Sequence, residues 1–144
     1  MSEECIFCKI ASKEKQAYII YEDNLCMAFL DAFPVTEGHT LIIPKEHYKN
    51  IYEIPEDILV HIMKISKRLA LDYQQIFNTV GLNIIQSNGT VAKQTVFHFH
   101  VHLVTRYHQD GLILFRHHFA RNENNLVQAY RKIVDFQKQS NKAE

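Results

Sequence analysis

Two hydrophobic periods divide this chain. Between Pro55 and Phe77, apolar residues recur at three- and four-residue steps through Leu59, Ile62, Met63, Ile65, Leu69, Tyr73, Ile76 and Phe77. That is the stripe of a long amphipathic helix, with Pro55 at an allowed first-turn position and Glu56 and Asp57 where the helix dipole favours acids. A second helix is expected from about Glu123 to Gln139, with Leu126, Val127, Tyr130, Ile133 and Val134 on one face. The rest reads as strands. Residues 18–22 and 25–30 flank the turn signal Asp23-Asn24 and predict an antiparallel hairpin. Thr40 to Ile43 predicts a short buried strand closed by Pro44, and residues 81–86 predict another. A loop from Ser87 to Thr90 then leads into a longer strand, roughly Thr95 to Thr105. Leu112 to Phe119 fits neither period. The implied class is α+β: an antiparallel sheet of about five strands, one long helix packed on it, and a C-terminal helix.

Within the longest strand the polar positions are unusual. In His98-Phe99-His100-Val101-His102-Leu103, alternation places three imidazoles on one face and Phe99, Val101 and Leu103 on the other, which is available for the core. The outer two histidines would have α-carbons about 13 Å apart, too far for all three to hold one small ion, so separate roles are expected. A polar strand face, a metal held by two alternate histidines, and a nucleophilic histidine between two supporting ones all fit the alternation.

The 144 residues suit one domain, 1–144, with a core that needs no disulfide support. Sixteen Lys and Arg balance sixteen Asp and Glu, so no global field points to nucleic acid, and a small-molecule substrate is the simpler expectation. The acidic start, Met1-Ser2-Glu3-Glu4, is not a signal peptide, and no apolar run approaches membrane-spanning length. A soluble cytoplasmic protein with no membrane partner is expected. Three cysteines without an export signal argue against a disulfide framework. Cys5 and Cys8 form a CxxC pair that needs two further ligands to hold zinc, and histidines are the available candidates; a redox pair or two inert thiols are the other readings. Cys26, among Leu25, Met27, Ala28 and Phe29, reads as a small core side chain.

Taken together, HFHVHLV and, upstream, CIFCKI, YED, AFLD, GHTLIIPKEH and NG with QTVF resemble the histidine-triad (HIT) superfamily, in particular its bacterial zinc-bearing Hint-like branch, over about residues 5 to 106. The resemblance implies a HIT-like fold and a nucleotide hydrolase or nucleotidyl transferase. In such enzymes the middle histidine, here His100, attacks the α-phosphorus of a nucleoside phosphoramidate or related conjugate, and water cleaves the resulting nucleotidyl-histidine. An imidazole with a pKa of about 6.5 is largely neutral at neutral pH, and a hydrogen bond to one nitrogen would leave the other free to attack. The same residues would serve a diadenosine polyphosphate hydrolase, and a nucleotide-binding scaffold with little catalysis is the reading from another class.

Position by position, the resemblance implies that His102 and His39 join His100 in the catalytic pocket. Asn88, Gln94 and Thr95 would contact phosphate, Asp31 would accept from ribose hydroxyls, and Phe29 would lie in the base pocket of a purine (AMP-type) nucleotide. It also implies a structural zinc on Cys5, Cys8, His47 and His98, no cofactor for the chemistry itself, and a homodimer. Three positions depart from the family pattern. Lys93 stands where glycine is usual, Thr105 replaces a proline, and the segment after Asp110 does not match the Hint ending.

Overall fold

The computed structural model describes residues 4–114 and 121–143. Five strands form one antiparallel sheet in the order β1-β2-β3-β5-β4: β1 (Ile19–Glu22), β2 (Cys26–Leu30), β3 (Thr40–Pro44), β4 (Gly81–Ile85) and β5 (Val101–Arg106). The helices are α1 (Ile6–Ala11), α2 (Glu56–Phe77) and α3 (Glu123–Ala143). The expected class and strand count hold. Residues 115–120, which take in most of the unassigned Leu112 to Phe119 stretch, lie outside the described residues.

Alternation along the strands sorts side chains into two layers. Cys26, Ala28 and Leu30 of β2, Ile42 of β3, and Val101 and Leu103 of β5 pack with Ile62, Leu69 and Tyr73 of α2 and Leu126 and Ile133 of α3. Met27, Phe29, Leu41 and Ile43 point the other way and pack with Phe7 and Ile10 of α1. The face opposite the long helices therefore carries its own smaller core, with the histidines at its border. Six-residue α1 is too short to be stable alone, and burial of Phe7 and Ile10 is what stabilises it.

Two boundaries and one buried stripe differ from expectation for physical reasons. The histidine strand begins at Val101, not Thr95, because the preceding backbone bonds elsewhere: Phe99 N–H donates to Tyr48 O at 2.7 Å instead of joining the ladder. Pro55 is the residue capping α2, in extended conformation, and the helix starts at Glu56. Met63 is exposed, while Ile58 and Ser66 are buried, so the buried stripe lies slightly to one side of the expected one. Ser66 is accommodated by donating its hydroxyl to Ile62 O at 2.8 Å.

Two of the three departures noted in the sequence have local explanations. Lys93 has φ of 72°, the left-handed region in which glycine is favoured, and it closes a short 3-10 turn, Thr90–Ala92. Thr105, fully buried, donates to Glu37 O at 2.5 Å and pairs with the Thr36 hydroxyl at 2.9 Å, tying β5 to the loop before β3. Among the described residues no helix is long and apolar enough to cross a membrane.

Candidate active site and metal centre

His100 and His102 sit at the border of the smaller core, with ring centroids 5.0 Å apart. His100 is 7% exposed, and its Nδ1 lies 2.8 Å from the carbonyl oxygen of His98. A carbonyl can only accept, so Nδ1 carries the proton and Nε2 keeps its lone pair. Burial lowers the pKa of His100, favouring this neutral form.

The opposite tautomer follows for His102. The Val35 backbone N–H donates to His39 Nδ1 at 3.2 Å, which leaves the proton of a neutral His39 on Nε2. That proton points at His102 Nδ1, 2.9 Å away, so His102 Nδ1 accepts and its own Nε2 carries hydrogen. Burial pushes His39 down to about 4, and burial together with the neighbouring His39 pushes His102 down to about 3, so both are neutral at pH 7. His39 Nε2 is also 3.6 Å from Asp31 Oδ2, a contact that would become an ion pair only if His39 were charged. Adjacent imidazoles on one face thus differ in kind: a free lone pair on one, an N–H donor on the other.

A cavity of about 570 Å³ opens beside them. Its lining brings together Phe29, Asp31, His39, Thr95, His100 and His102. Asp31 uses Oδ1 to accept from Phe33 N–H at 2.8 Å, and burial raises its pKa. Asn88 and Gln94 do not line the cavity. Gln94 is buried, donating to Lys49 O and Val96 O and accepting from Gly89 N–H, while Asn88 exchanges bonds with Gln86 and accepts from Ile51 N–H. Both brace the loop that carries Thr95. Sequence reasoning missed the wall supplied by α1, where Ile6, Phe7 and Ile10 line the cavity and the Phe7 ring meets His100 edge-on at 5.1 Å. The i, i+1, i+4 spacing of these three residues was the available signal, hidden inside and just beyond the CxxC pair.

His98 turns its ring toward a second cluster. Its Nδ1 lies 3.4 Å from Cys5 Sγ, 3.5 Å from Cys8 Sγ and 3.2 Å from His47 Nδ1, and Cys8 Sγ is 3.3 Å from His47 Nδ1. A tetrahedral zinc with bonds of about 2.3 Å to sulfur and about 2.0 Å to nitrogen would require separations of roughly 3.5 and 3.3 Å. The cluster matches that geometry. His98 donates Nε2–H to Pro44 O at 2.8 Å, which directs its Nδ1 lone pair at the other three side chains, and the Cys8 N–H at the start of α1 donates to Cys5 Sγ at 3.3 Å. Two thiolates and two imidazoles suit a closed structural zinc site.

A profile for the HIT domain matches residues 12–109. Protein hit of Bacillus subtilis is 41% identical over 106 residues, covering 74% of this chain and 73% of that protein. An adenosine 5'-monophosphoramidase of Saccharomyces cerevisiae is 41% identical over 111 residues, covering 76% of this chain and 68% of the enzyme. Among solved structures, a zinc-bound histidine triad family protein from Mycobacterium smegmatis superposes with a TM-score of 0.86 at 32% identity, covering 98% of each chain.

Proposed function

This chain belongs to the HIT domain family, and from that premise we propose that it is a nucleotide hydrolase that cleaves nucleoside phosphoramidates or related nucleotide conjugates at the α-phosphorus. The observation that carries the reading is the bond from His100 Nδ1 to the His98 carbonyl, which leaves Nε2 as a nucleophile at the cavity wall. His100 Nε2 attacks phosphorus and the bond to the leaving group breaks, while His102 Nε2–H donates a hydrogen bond to the departing atom, which takes its proton from solvent. Water then cleaves the nucleotidyl-histidine, restoring neutral His100 and returning a proton to solvent. In this reading the base of a purine nucleotide packs on the apolar wall of Phe7, Ile10 and Phe29, Asp31 accepts from ribose hydroxyls and Thr95 donates to a phosphate oxygen; the support is that all five line the cavity. Asn88 and Gln94 hold the loop in this reading, and their direct contact with phosphate would require the loop bonds to exchange. The similarity to a yeast adenosine 5'-monophosphoramidase supports the substrate class.

Zinc on Cys5, Cys8, His47 and His98 has a structural part in this proposal, joining the N-terminal segment to the stretch that carries His100. No step of the reaction passes through it. The whole chain, 1–144, is read as one cytoplasmic domain paired with a second copy. Support for pairing comes from the outer edge of β4, which no strand among the described residues covers, and from the exposed apolar side chains Val60, Met63 and Leu71 on α2 and Ile84 on β4.

The test is brief reaction with an adenosine phosphoramidate followed by intact-protein mass spectrometry at neutral quench. The expected result is an adenylyl adduct mapping to His100; an adduct on another residue would overturn the mechanism. Parallel turnover of diadenosine polyphosphate separates the two hydrolase readings. Binding of AMP with turnover of neither substrate would identify a scaffold instead.

A further inference from the structure

Asp23, Cys26 and His61 form a second group of metal-ligating side chains, with one ligating atom from each lying within 4.8 Å of the others. None of them lines the catalytic cavity, and Cys26 belongs to the core on the α2 side of the sheet, opposite the face that carries the histidines. The two carboxylate oxygens of Asp23 have different partners. Oδ1 accepts from the Leu25 and Cys26 backbone N–H groups, both at 2.8 Å, and so shapes the β1–β2 turn. Oδ2 faces side chains only: the Tyr21 hydroxyl and His61 Nε2, each at 2.6 Å, and Cys26 Sγ at 3.8 Å.

Three protic groups therefore converge on a single anionic oxygen, and the thiol is left with the long contact. A divalent ion can replace the protons between these atoms. We propose that Asp23 Oδ2, Cys26 Sγ and His61 Nε2 bind a metal ion of the zinc class, pinning the β1–β2 turn to α2, with water as the fourth ligand. Carboxylate, thiolate and imidazole are a donor set suited to zinc, and two anionic ligands neutralise the ion. Binding is balanced by release of one proton: Cys26 loses its thiol hydrogen, and the hydrogen that His61 carries on Nε2 moves to Nδ1. The Asp23 and His61 side chains are 25% and 30% exposed, which gives the ion a way in, while Cys26 is fully buried behind them.

The chain has three cysteines, so a Cys5→Ser, Cys8→Ser variant retains Cys26 as its sole thiol. Cobalt(II) added to that variant should produce a thiolate-to-cobalt charge-transfer band that zinc abolishes and that disappears in a background also carrying His61→Gln. A folded variant that gives no such band at about tenfold excess cobalt, or a band unchanged by His61→Gln, would overturn the proposal. Should the double-serine variant fail to fold, the zinc content of the wild-type chain is compared with that of His61→Gln alone. The expected difference is one zinc per chain, and equal contents would refute the site.

Discussion

The proposed catalytic and metal clusters share the five-residue stretch from His98 to His102 and one residue type, yet they are organised in opposite ways. At the metal cluster, His98 Nε2 is tied to Pro44 O, and its Nδ1 looks inward at three other ligand atoms between 3.2 and 3.5 Å away. At the catalytic cluster, His100 Nδ1 is tied to His98 O, and His102 Nδ1 is tied to His39, leaving the opposite nitrogens for a substrate. What separates the proposed ligand from the proposed nucleophile is which ring nitrogen is already bonded, and to what. His98 serves both clusters, its ring in one and its carbonyl oxygen in the other.

If the roles are this distinct, they should come apart under mutation. The largest effect is expected from His100→Ala: turnover of an adenosine phosphoramidate falls by roughly three orders of magnitude or more, while zinc content and AMP affinity stay near wild type. A loss of zinc in that variant would mean that the two clusters are not separable. Cys5→Ser, Cys8→Ser should do the reverse, removing the zinc held with His47 and His98 and lowering the unfolding midpoint by about ten degrees, read by calorimetry and elemental analysis.

A smaller effect is expected at the tautomer relay. In His39→Ala, nothing holds the proton of His102 on Nε2, so kcat should fall by about 10- to 100-fold with KM nearly unchanged. His39→Gln, whose amide can donate to His102, should recover part of the loss; equal defects in the two variants would count against the relay.

The smallest effect concerns pH. His39 and His102 have folded pKa values of about 4 and about 3, below the ordinary 6.5, so between these limits the unfolded chain binds more protons than the folded one. Their contribution to stability is complete above about 6.5 and is lost as pH falls toward 4 and then 3. In wild type the unfolding midpoint should drop across that window, and a His39→Gln, His102→Gln variant should show a shallower slope. An identical slope in the two proteins would mean that these imidazoles are not held neutral.

Much of this molecule was legible in the linear chain because local periods dictate which side chains share a face. Alternation along Phe99, Val101 and Leu103 identified their burial, and it put the histidines on the other face even though the ladder begins only at Val101. The three- and four-residue steps located α2, and Cys5 and Cys8 announced half of a cluster able to hold a metal ion. The other half, His47 and His98, was reached only through family resemblance, since no local pattern relates positions 5, 47 and 98.

Periodicity could not reach interactions that depend on distant segments meeting. Helix α1 shows barely one turn of apolar spacing and forms because Phe7 and Ile10 find Phe29 and Leu41. The bonds that tie Asn88 to Ile51 and Gln94 to Lys49 within the loop could not be read from the chain. Cys26 is the core residue its neighbours predicted, but only the fold brings His61, 35 positions later, beside it and Asp23. Sequence determines which face a side chain takes through the 2.0- and 3.6-residue repeats of the backbone, whereas tautomers, ligand sets and shared hydrogen bonds depend on distances across the fold, which only packing decides.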